Sequence, residues 1–324
     1  MKPLVVVSGQ GLSLADGFNL IRELESLVPD CFAMVPRDER NDLDLVVTRL
    51  FDAADARPPL ADPSADWDAA GAQPASRLLR AIERLAPRTK SDVEKRFPTT
   101  AELCRRLASI ASRRLVVLFT TNVDRAARYG AVGSGANWVA GAATSGETTI
   151  EVFTQWLAEI ARLDPGFHYL PLHGEPDLVS TGDGRKLAAG LPRPGWWTSL
   201  AEGLGRGTQR VDKQTSLAYL GYGLLKRLLV GAPHSGADPA RAADLLVIGY
   251  GAGCKKRRDE YPFERTVDDS TRILGPTGRG SWAAISRWNH SERRCRKWFQ
   301  DRGFSCLPVT HDHSCSDRIK DRLA

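Results

Sequence analysis

The chain reads LVVVSGQGLS from Leu4 to Ser13, and this stretch decides the fold that we expect. The apolar run predicts a buried strand, and Gly9 and Gly11 predict a tight turn into a helix. Such a turn directs backbone N–H groups and the positive end of the helix dipole at one point, which suits a phosphate. Any tight strand-to-helix turn needs glycine, however, so the motif alone does not identify a ligand.

Apolar runs of strand length recur along the chain and alternate with stretches of helical periodicity. The predicted strands are 4–7, 115–119, 169–172, 245–248 and 304–309, and the predicted helices are 12–28, 101–111, 150–163 and 281–302. Buried strands that alternate with helices indicate a parallel sheet covered on both faces. We expect an α/β fold, a doubly wound Rossmann-like and mainly parallel sheet, in a single domain over residues 1–324.

Three segments interrupt the alternation, and one of them, residues 129–146, is rich in Gly and small residues. Residues 53–75 are rich in Ala, Asp and Pro, which predicts a mobile insertion. Residues 175–242 predict a small inserted lobe, with a helix near Asp212–Leu229.

Composition limits the class of protein. With 324 residues, 42% of them hydrophobic, the chain can bury the core of one large domain. No apolar run approaches the roughly 20 residues of a membrane span, and no signal-peptide pattern precedes Leu4. The six cysteines are dispersed, which is typical of a reducing compartment, and we expect a cytoplasmic protein.

Two common nucleotide-binding classes are disfavoured. The dehydrogenase fingerprint has a third glycine where this chain has Leu14, and no second strand ends in an acid about 20 residues later. The chain also contains no GxxxxGK[ST] motif, so a Walker-type hydrolase is not expected.

Three further strand ends carry polar residues or glycines. They are TTNVD at 120–124, LHG at 172–174 and VIGYG at 247–251. Taken singly, Asn122 and Asp124 suit the cap of a helix that begins near Arg125, His173 suits a structural role, and the glycines suit a turn. Ligands gather at the carboxyl ends of strands in such sheets, which makes the combination informative.

In this order the four motifs resemble the pattern of the Sir2 (sirtuin) superfamily of NAD-consuming enzymes. The resemblance implies that NAD is bound by a set of residues at the strand ends. These residues are Ser8, Gly9, Gly11, Ser13, Thr120, Asn122, Asp124, Gly249 and Gly251.

The resemblance also implies roles. Asn122 lies near the nicotinamide ribose and the attacking water, Asp124 recognises the nicotinamide carboxamide, and His173 contacts the ribose hydroxyls as general base. Breaking the bond between ribose C1′ and the nicotinamide nitrogen needs chiefly an oriented substrate, one base and one polar group. We expect Asn122 and His173, the catalytic pair, at the mouth of a polar cleft.

The remaining loop residues follow the same resemblance. Gly9, Gly11 and Ser13 match the loop that cradles the NAD phosphates. Gly249 and Gly251 match the segment that lines the adenosine ribose, with Gly251 in place of the family's serine.

Departures from the family pattern indicate the branch. Protein-deacylating sirtuins carry two CxxC pairs that bind zinc after the His-Gly motif, whereas Cys254 is the only cysteine between His173 and Cys295. The chain therefore resembles the zinc-free NAD-hydrolysing effectors of bacterial antiphage defence. This implies an NAD⁺ glycohydrolase without zinc, gated by homo-oligomerisation or by a partner protein of the defence system.

Other functions stay open. The enzymatic alternatives are an NAD-dependent protein deacylase and an ADP-ribosyltransferase, and a different class is a non-catalytic NAD-sensing assembly module. The basic, tryptophan-containing segment Ser281–Arg302 suits nucleic acid, or a helix that packs on the sheet through Ile285, Trp288, Cys295, Trp298 and Phe299.

Four potential metal ligands fall within ten residues near the carboxyl terminus: Cys306, His311, His313 and Cys315. Their spacing matches no zinc pattern, and we interpret them as a strand followed by a polar loop.

Overall fold

In the computed structural model, the fold is described for most of the chain. The described residues are 1–41, 43, 46, 49–50, 74–138, 158–160, 162–172, 178–180, 187–189, 217–232, 236–251, 262–275, 277–287 and 293–324. His173, nearly all of the insertion predicted at 53–75 and much of the lobe predicted at 175–242 lie outside them.

Within these ranges the chain forms strands in two sheets. The strands are β1 Leu4–Ser8, β2 Leu115–Thr120, β3 Asn137–Trp138, β4 Gly166–Pro171, β5 Leu178–Ser180, β6 Leu187–Ala189, β7 Asp244–Ile248, β8 Trp282–Ser286 and β9 Ser305–Pro308. Seven of them form one sheet in the order β3-β4-β2-β1-β7-β8-β9, and β5 and β6 form an antiparallel pair.

The helices of the same ranges alternate with these strands. They are α1 Gly11–Ala15, α2 Leu20–Leu27, α3 Pro29–Ala33, α4 Pro74–Leu85, α5 Lys90–Arg96, α6 Pro98–Ala111, α7 Ala126–Val132, α8 Leu217–Val230, α9 Pro262–Leu274, α10 Arg293–Asp301 and α11 Cys315–Leu323.

The seven-stranded sheet is parallel throughout and doubly wound. The chain begins at the centre in β1, steps outward to β2 and β4, then crosses to β7 and continues outward to β8 and β9. Apart from the edge strand β3, this is the Rossmann order. The expected α/β fold is therefore confirmed, and the reversal of direction falls between β1 and β7.

Both faces of the sheet are buried under helices. Val5 and Val7 of β1 join the core cluster that includes residues of α8, α9 and α10. Leu4 and Val6 point the other way, into the cluster with α1, α6, α7 and α11. Burial on both faces explains why these strands are continuous apolar runs and not alternating ones.

A small helical layer is inserted between β1 and β2. Helices α2, α3 and α4 share a core of their own, and Val123, in the loop after β2, belongs to that core. The helical layer is thereby held against the carboxyl edge of the sheet.

The prediction of one continuous helix over Ser281–Arg302 is wrong. Trp282–Ser286 is a sheet strand, in register with Leu245–Ile248, and the helix α10 covers only Arg293–Asp301. A short apolar run that is buried on both faces of a sheet carries no alternation, so periodicity alone does not distinguish it from a helix.

The packing expected of that segment is confirmed in part. Trp298 and Phe299 pack in the core cluster on one face of the sheet, Cys295 is buried, Ile285 is buried within β8 itself, and Trp288 lies outside the described residues.

The helix predicted at 12–28 is also divided. Gly17 has a φ of +80°, which ends α1, and the Asn19 side chain accepts a hydrogen bond from Arg22 N to begin α2.

Candidate active site

The loops that follow β1 and β7 are joined directly where the winding of the sheet reverses. Gly9 N donates to Ile248 O at 2.9 Å, and Gly11 N donates to Gly249 O at 2.8 Å. Ligands of doubly wound folds bind beside this position. Both N–H groups, however, are engaged in the contact between the loops.

Close approach of the two loops explains why glycines stand here. Gly249 has a φ of +63°, and a Cβ built on it would lie 2.4 Å from the carbonyl carbon of Gly11. A Cβ on Gly9 would lie 2.8 Å from Gly249 O. Phosphate binding is therefore not needed to account for Gly9, Gly11 and Gly249.

The neighbouring strand end is tied into the same edge. Thr121 N donates to Ser8 O at 3.0 Å, and Leu172 N donates to Thr120 O at 2.7 Å. Thr120 Oγ1 in turn accepts a hydrogen bond from Asn122 N at 3.0 Å. The ends of β1, β2 and β4 are thus held together, and the last described residue before His173 lies beside Thr120.

A hydrogen-bonded chain connects the polar residues of the first two motifs. Asn122 Nδ2 donates to Ser13 Oγ at 3.2 Å, and the Ser13 hydroxyl donates to Asp124 Oδ2. Asp124 Oδ1 accepts from Ala126 N at 3.0 Å. Residues 109 or more positions apart in the sequence therefore form one network.

The network is buried. Only 8% of Asn122, 2% of Asp124 and 1% of Ser13 is exposed, so the expectation that Asn122 lies at the mouth of a cleft is wrong. Val123, which lies between Asn122 and Asp124, packs into the core of the helical layer.

Burial also changes the acidity of Asp124. Loss of water raises the pKa of its carboxyl above the ordinary value, and the hydrogen bonds from Ser13 and Ala126 partly oppose that rise. The nearby negative charge of Asp16 raises the pKa as well.

Asp124 additionally bonds the first residue of α7, although the N-cap position itself is Arg125. It accepts from the first N–H of α7, whereas the Asn122 side chain turns to Ser13. The intervening residue, Arg125, is in the left-handed region with a φ of 60°. Its buried guanidinium lies 3.6 Å from Glu83 of α4 and connects the β2 loop to the helical layer.

Sequence reasoning missed Arg125 and Glu83. The left-handed region favours Gly or Asn, so an arginine there gives no signal, and its partner is 42 positions away in a helix that no motif marks.

The structure brings most of the proposed residues to one edge of the sheet. Gly251 follows β7 and is exposed, with nothing within 4 Å of an added Cβ. Ser8 is fully buried at the end of β1, where its hydroxyl donates to Phe119 O at 3.4 Å. His173 lies outside the described residues.

The cysteines near the carboxyl terminus do not converge. Cys306 packs with the cluster on one face of the sheet, and Cys315 belongs to the cluster on the other. Burial raises the pKa of the Cys315 thiol to about 12. Across the described ranges, no three His, Cys, Asp or Glu side chains are grouped to hold a metal.

In the part of the chain that the structure describes, no helix is long and apolar enough to cross a membrane.

Comparison with known proteins gives little at the level of sequence. No protein-family profile and no curated protein matches the chain. Among solved structures, a Sir2 homolog in complex with NAD is similar over 100% of this chain and 91% of its own, at 13% identity and a TM-score of 0.38. The fold assignment rests on the strand order itself.

Proposed function

We propose that the chain is an NAD⁺ glycohydrolase that converts NAD⁺ and water to nicotinamide, ADP-ribose and a proton. The proposal places it in the zinc-free branch of the Sir2-like superfamily, as an effector of bacterial antiphage defence. The observation that carries it is the hydrogen-bonded chain from Asn122 through Ser13 to Asp124, beside the reversal between β1 and β7.

The chain of hydrogen bonds orients Asn122 for this chemistry. Because its Nδ2 is given to Ser13, its carboxamide oxygen stays available to a water or a ribose hydroxyl. A polar group held in place before the substrate arrives contributes more to catalysis than one that must reorient.

Asp124 suits the nicotinamide end of the substrate. Its two known donors, Ser13 and Ala126, leave further lone pairs on the carboxyl, and a carboxamide N–H is a matching donor. A buried carboxylate near C1′ also favours the positive charge that develops as nicotinamide leaves.

In the proposed reaction the C1′–N bond breaks first and nicotinamide leaves as a neutral base. Water oriented by Asn122 then adds to C1′, and His173 accepts its proton. An imidazole that titrates near neutrality suits this step. Activity in a resting cell would exhaust NAD, so we propose control by self-association or by a partner protein of the defence system.

The test is to incubate the purified protein with NAD⁺ and, separately, with NAD⁺ and an acetylated peptide, and to follow the products by mass. We expect nicotinamide and ADP-ribose in both reactions. An acetylated ADP-ribose product would favour the deacylase, a modified protein the transferase, and binding without turnover the NAD-sensing module.

Asn122 and His173 form the proposed catalytic pair. His173→Ala and Asn122→Ala should each lower nicotinamide release by about 10²–10⁴-fold, because each removes a group that acts on the reacting centre. Asn137→Ala, at an exposed position of β3, is the matched control and should keep full activity. Folded Asn122 and His173 variants with near-normal release would refute the assignment.

A further inference from the structure

The exposed side of α10 carries an unusual concentration of positive charge. Arg293, Arg294, Arg296 and Lys297 lie within five positions, all exposed, and are called the basic face below. Lys297 pairs with Asp301 at 3.3 Å. The three arginines have no ion-pair partner within the described ranges, and no acid stands in the first turn.

These charges repel one another. Arg293 lies three and four positions from Arg296 and Lys297, the spacings at which helical side chains are neighbours. Like charges at these spacings destabilise a helix, and cations near a helix amino terminus oppose its dipole. An anion bound across the basic face would relieve both effects.

All apolar side chains of α10 lie on its buried side, so none is exposed to contact an apolar ligand. Cys295, Trp298 and Phe299 are at most 4% exposed, and the Phe299 ring packs edge-on against Phe304 with centroids 4.9 Å apart. No apolar side chain of this helix is left to enter a membrane or to anchor a protein interface. The basic face therefore offers charge alone, on a helix fixed to the core.

Two other arginines nearby have partners, in contrast to the three arginines of the basic face. Arg302 pairs with Asp268 and lies over the Trp298 ring, and Arg279 donates to Arg302 O and lies over Trp282. Between residues 277 and 324, ten Arg and Lys stand against five Asp and Glu, which accounts for most of the chain's net charge of +6.

We infer that the basic face binds the phosphate backbone of nucleic acid without reading its sequence. Arginine pairs with phosphate through two parallel hydrogen bonds, and release of counterions supplies the affinity. The aromatic rings of α10 are buried, so this helix offers no ring on which a base could stack. Because α10 packs on β9, the last strand of the sheet, this surface is separate from the candidate active site.

The experiment measures binding of a labelled 20-base-pair DNA duplex, and of DNA and RNA strands of mixed sequence, to the full chain. Between 50 and 200 mM salt we expect the binding constant of the duplex to fall roughly 15–150-fold, the dependence for about two to four phosphate contacts. Affinity should not depend on base sequence. Comparison of the DNA and RNA strands shows which nucleic acid the surface prefers.

Charge reversal then locates the surface. Arg293→Glu/Arg294→Glu/Arg296→Glu should weaken binding by at least about tenfold. Arg22→Glu/Arg37→Glu/Arg113→Glu changes net charge equally at exposed arginines elsewhere and should retain most of the affinity. The milder double variant Arg293→Gln/Arg296→Gln should also weaken binding. It tests the same surface if the triple variant does not fold.

Three results would overturn the inference. They are no binding by the wild type at 50 mM salt, equal losses in both triple variants, or binding of phosphatidylserine vesicles but not oligonucleotides through the same arginines. Hydrolysis of NAD⁺ without nucleic acid is measured alongside, and its absence leaves this test unaffected.

Discussion

At the scale of single residues, Asp124 joins the two loops that meet beside β1. It holds Ser13 through one oxygen and begins α7 through the other, in surroundings that exclude water. Its role in stability and its proposed role toward nicotinamide therefore depend on the same carboxyl.

Asp124→Asn should change how stability depends on pH. The folded pKa of Asp124 is raised by burial, so at pH values between the ordinary value of about 3.9 and that raised value the folded protein holds a proton that the unfolded chain releases. The free energy of unfolding contributed by this group therefore falls as pH rises through that window. The asparagine variant lacks the dependence.

Urea unfolding of both proteins at pH 4, 5.5 and 7 measures the effect. Relative to the variant, the wild type should lose stability towards pH 7. A difference that is constant over this range would contradict the raised pKa.

The sequence motifs, through their resemblance to the Sir2 pattern, predict that Ser13, Asn122 and Asp124 lie together, and the structure joins them by hydrogen bonds. Their role in binding NAD stays a prediction. The motifs could not reveal that Asn122 is buried. Burial depends on long-range contacts, and the contact of the neighbouring Val123 with the helical layer is one that no local motif marks.

At the scale of elements, the end of α1 and the start of α6 are fastened by one side chain. Asp16 accepts hydrogen bonds from Thr99 N at 2.7 Å and Thr100 N at 3.3 Å, in the first turn of α6. Phe97, the residue before that helix, supplies no side-chain cap. Asp16, although distant in sequence, therefore caps the amino terminus of α6.

Asp16→Ala should lower the free energy of unfolding by about 0.5–2 kcal/mol, the usual cost of a lost cap. Asp38→Ala, at an exposed carboxylate, should change it by less than about 0.5 kcal/mol. Chemical denaturation of both variants makes the comparison, and equal losses would show that Asp16 does not act as a cap.

The elements themselves were predictable where an apolar run stands alone between turn residues. Strands β1, β2, β4 and β7 are apolar runs flanked by turn residues, and such runs were recognised within a few positions. Strand β8 was misassigned, because Trp282 and Ile285 are three apart and fit a helical repeat equally well.

At the scale of the whole molecule, the sheet consists of two halves that meet at β1 and β7. One half continues into β2 and β4, the other into β8 and β9, and the strand order could not be read from local pattern. The loops after β1 and β7 make the junction through backbone alone, at Gly11 and Gly249.

Gly249→Ala should therefore destabilise the fold by about 2–4 kcal/mol, since it adds left-handed strain to a clash with the Gly11 backbone. Gly251→Ala is the matched control two positions later, where an added Cβ meets nothing within 4 Å, and should change stability little. Thermal unfolding distinguishes them. Similar melting temperatures for the two variants would argue against a tight junction.

The central position of β1 has a consequence for biosynthesis. Its partners on either side begin at Leu115 and Asp244, so the first strand is made long before the residues that cover its edges. At about 5–20 residues per second, the ribosome needs roughly 12–50 s to reach the second partner. Both edges of the apolar segment Leu4–Val7 lack a partner until β2 is made, and one edge lacks it until β7 is made. Shielding by the ribosome or a chaperone would protect such an edge from pairing with other chains.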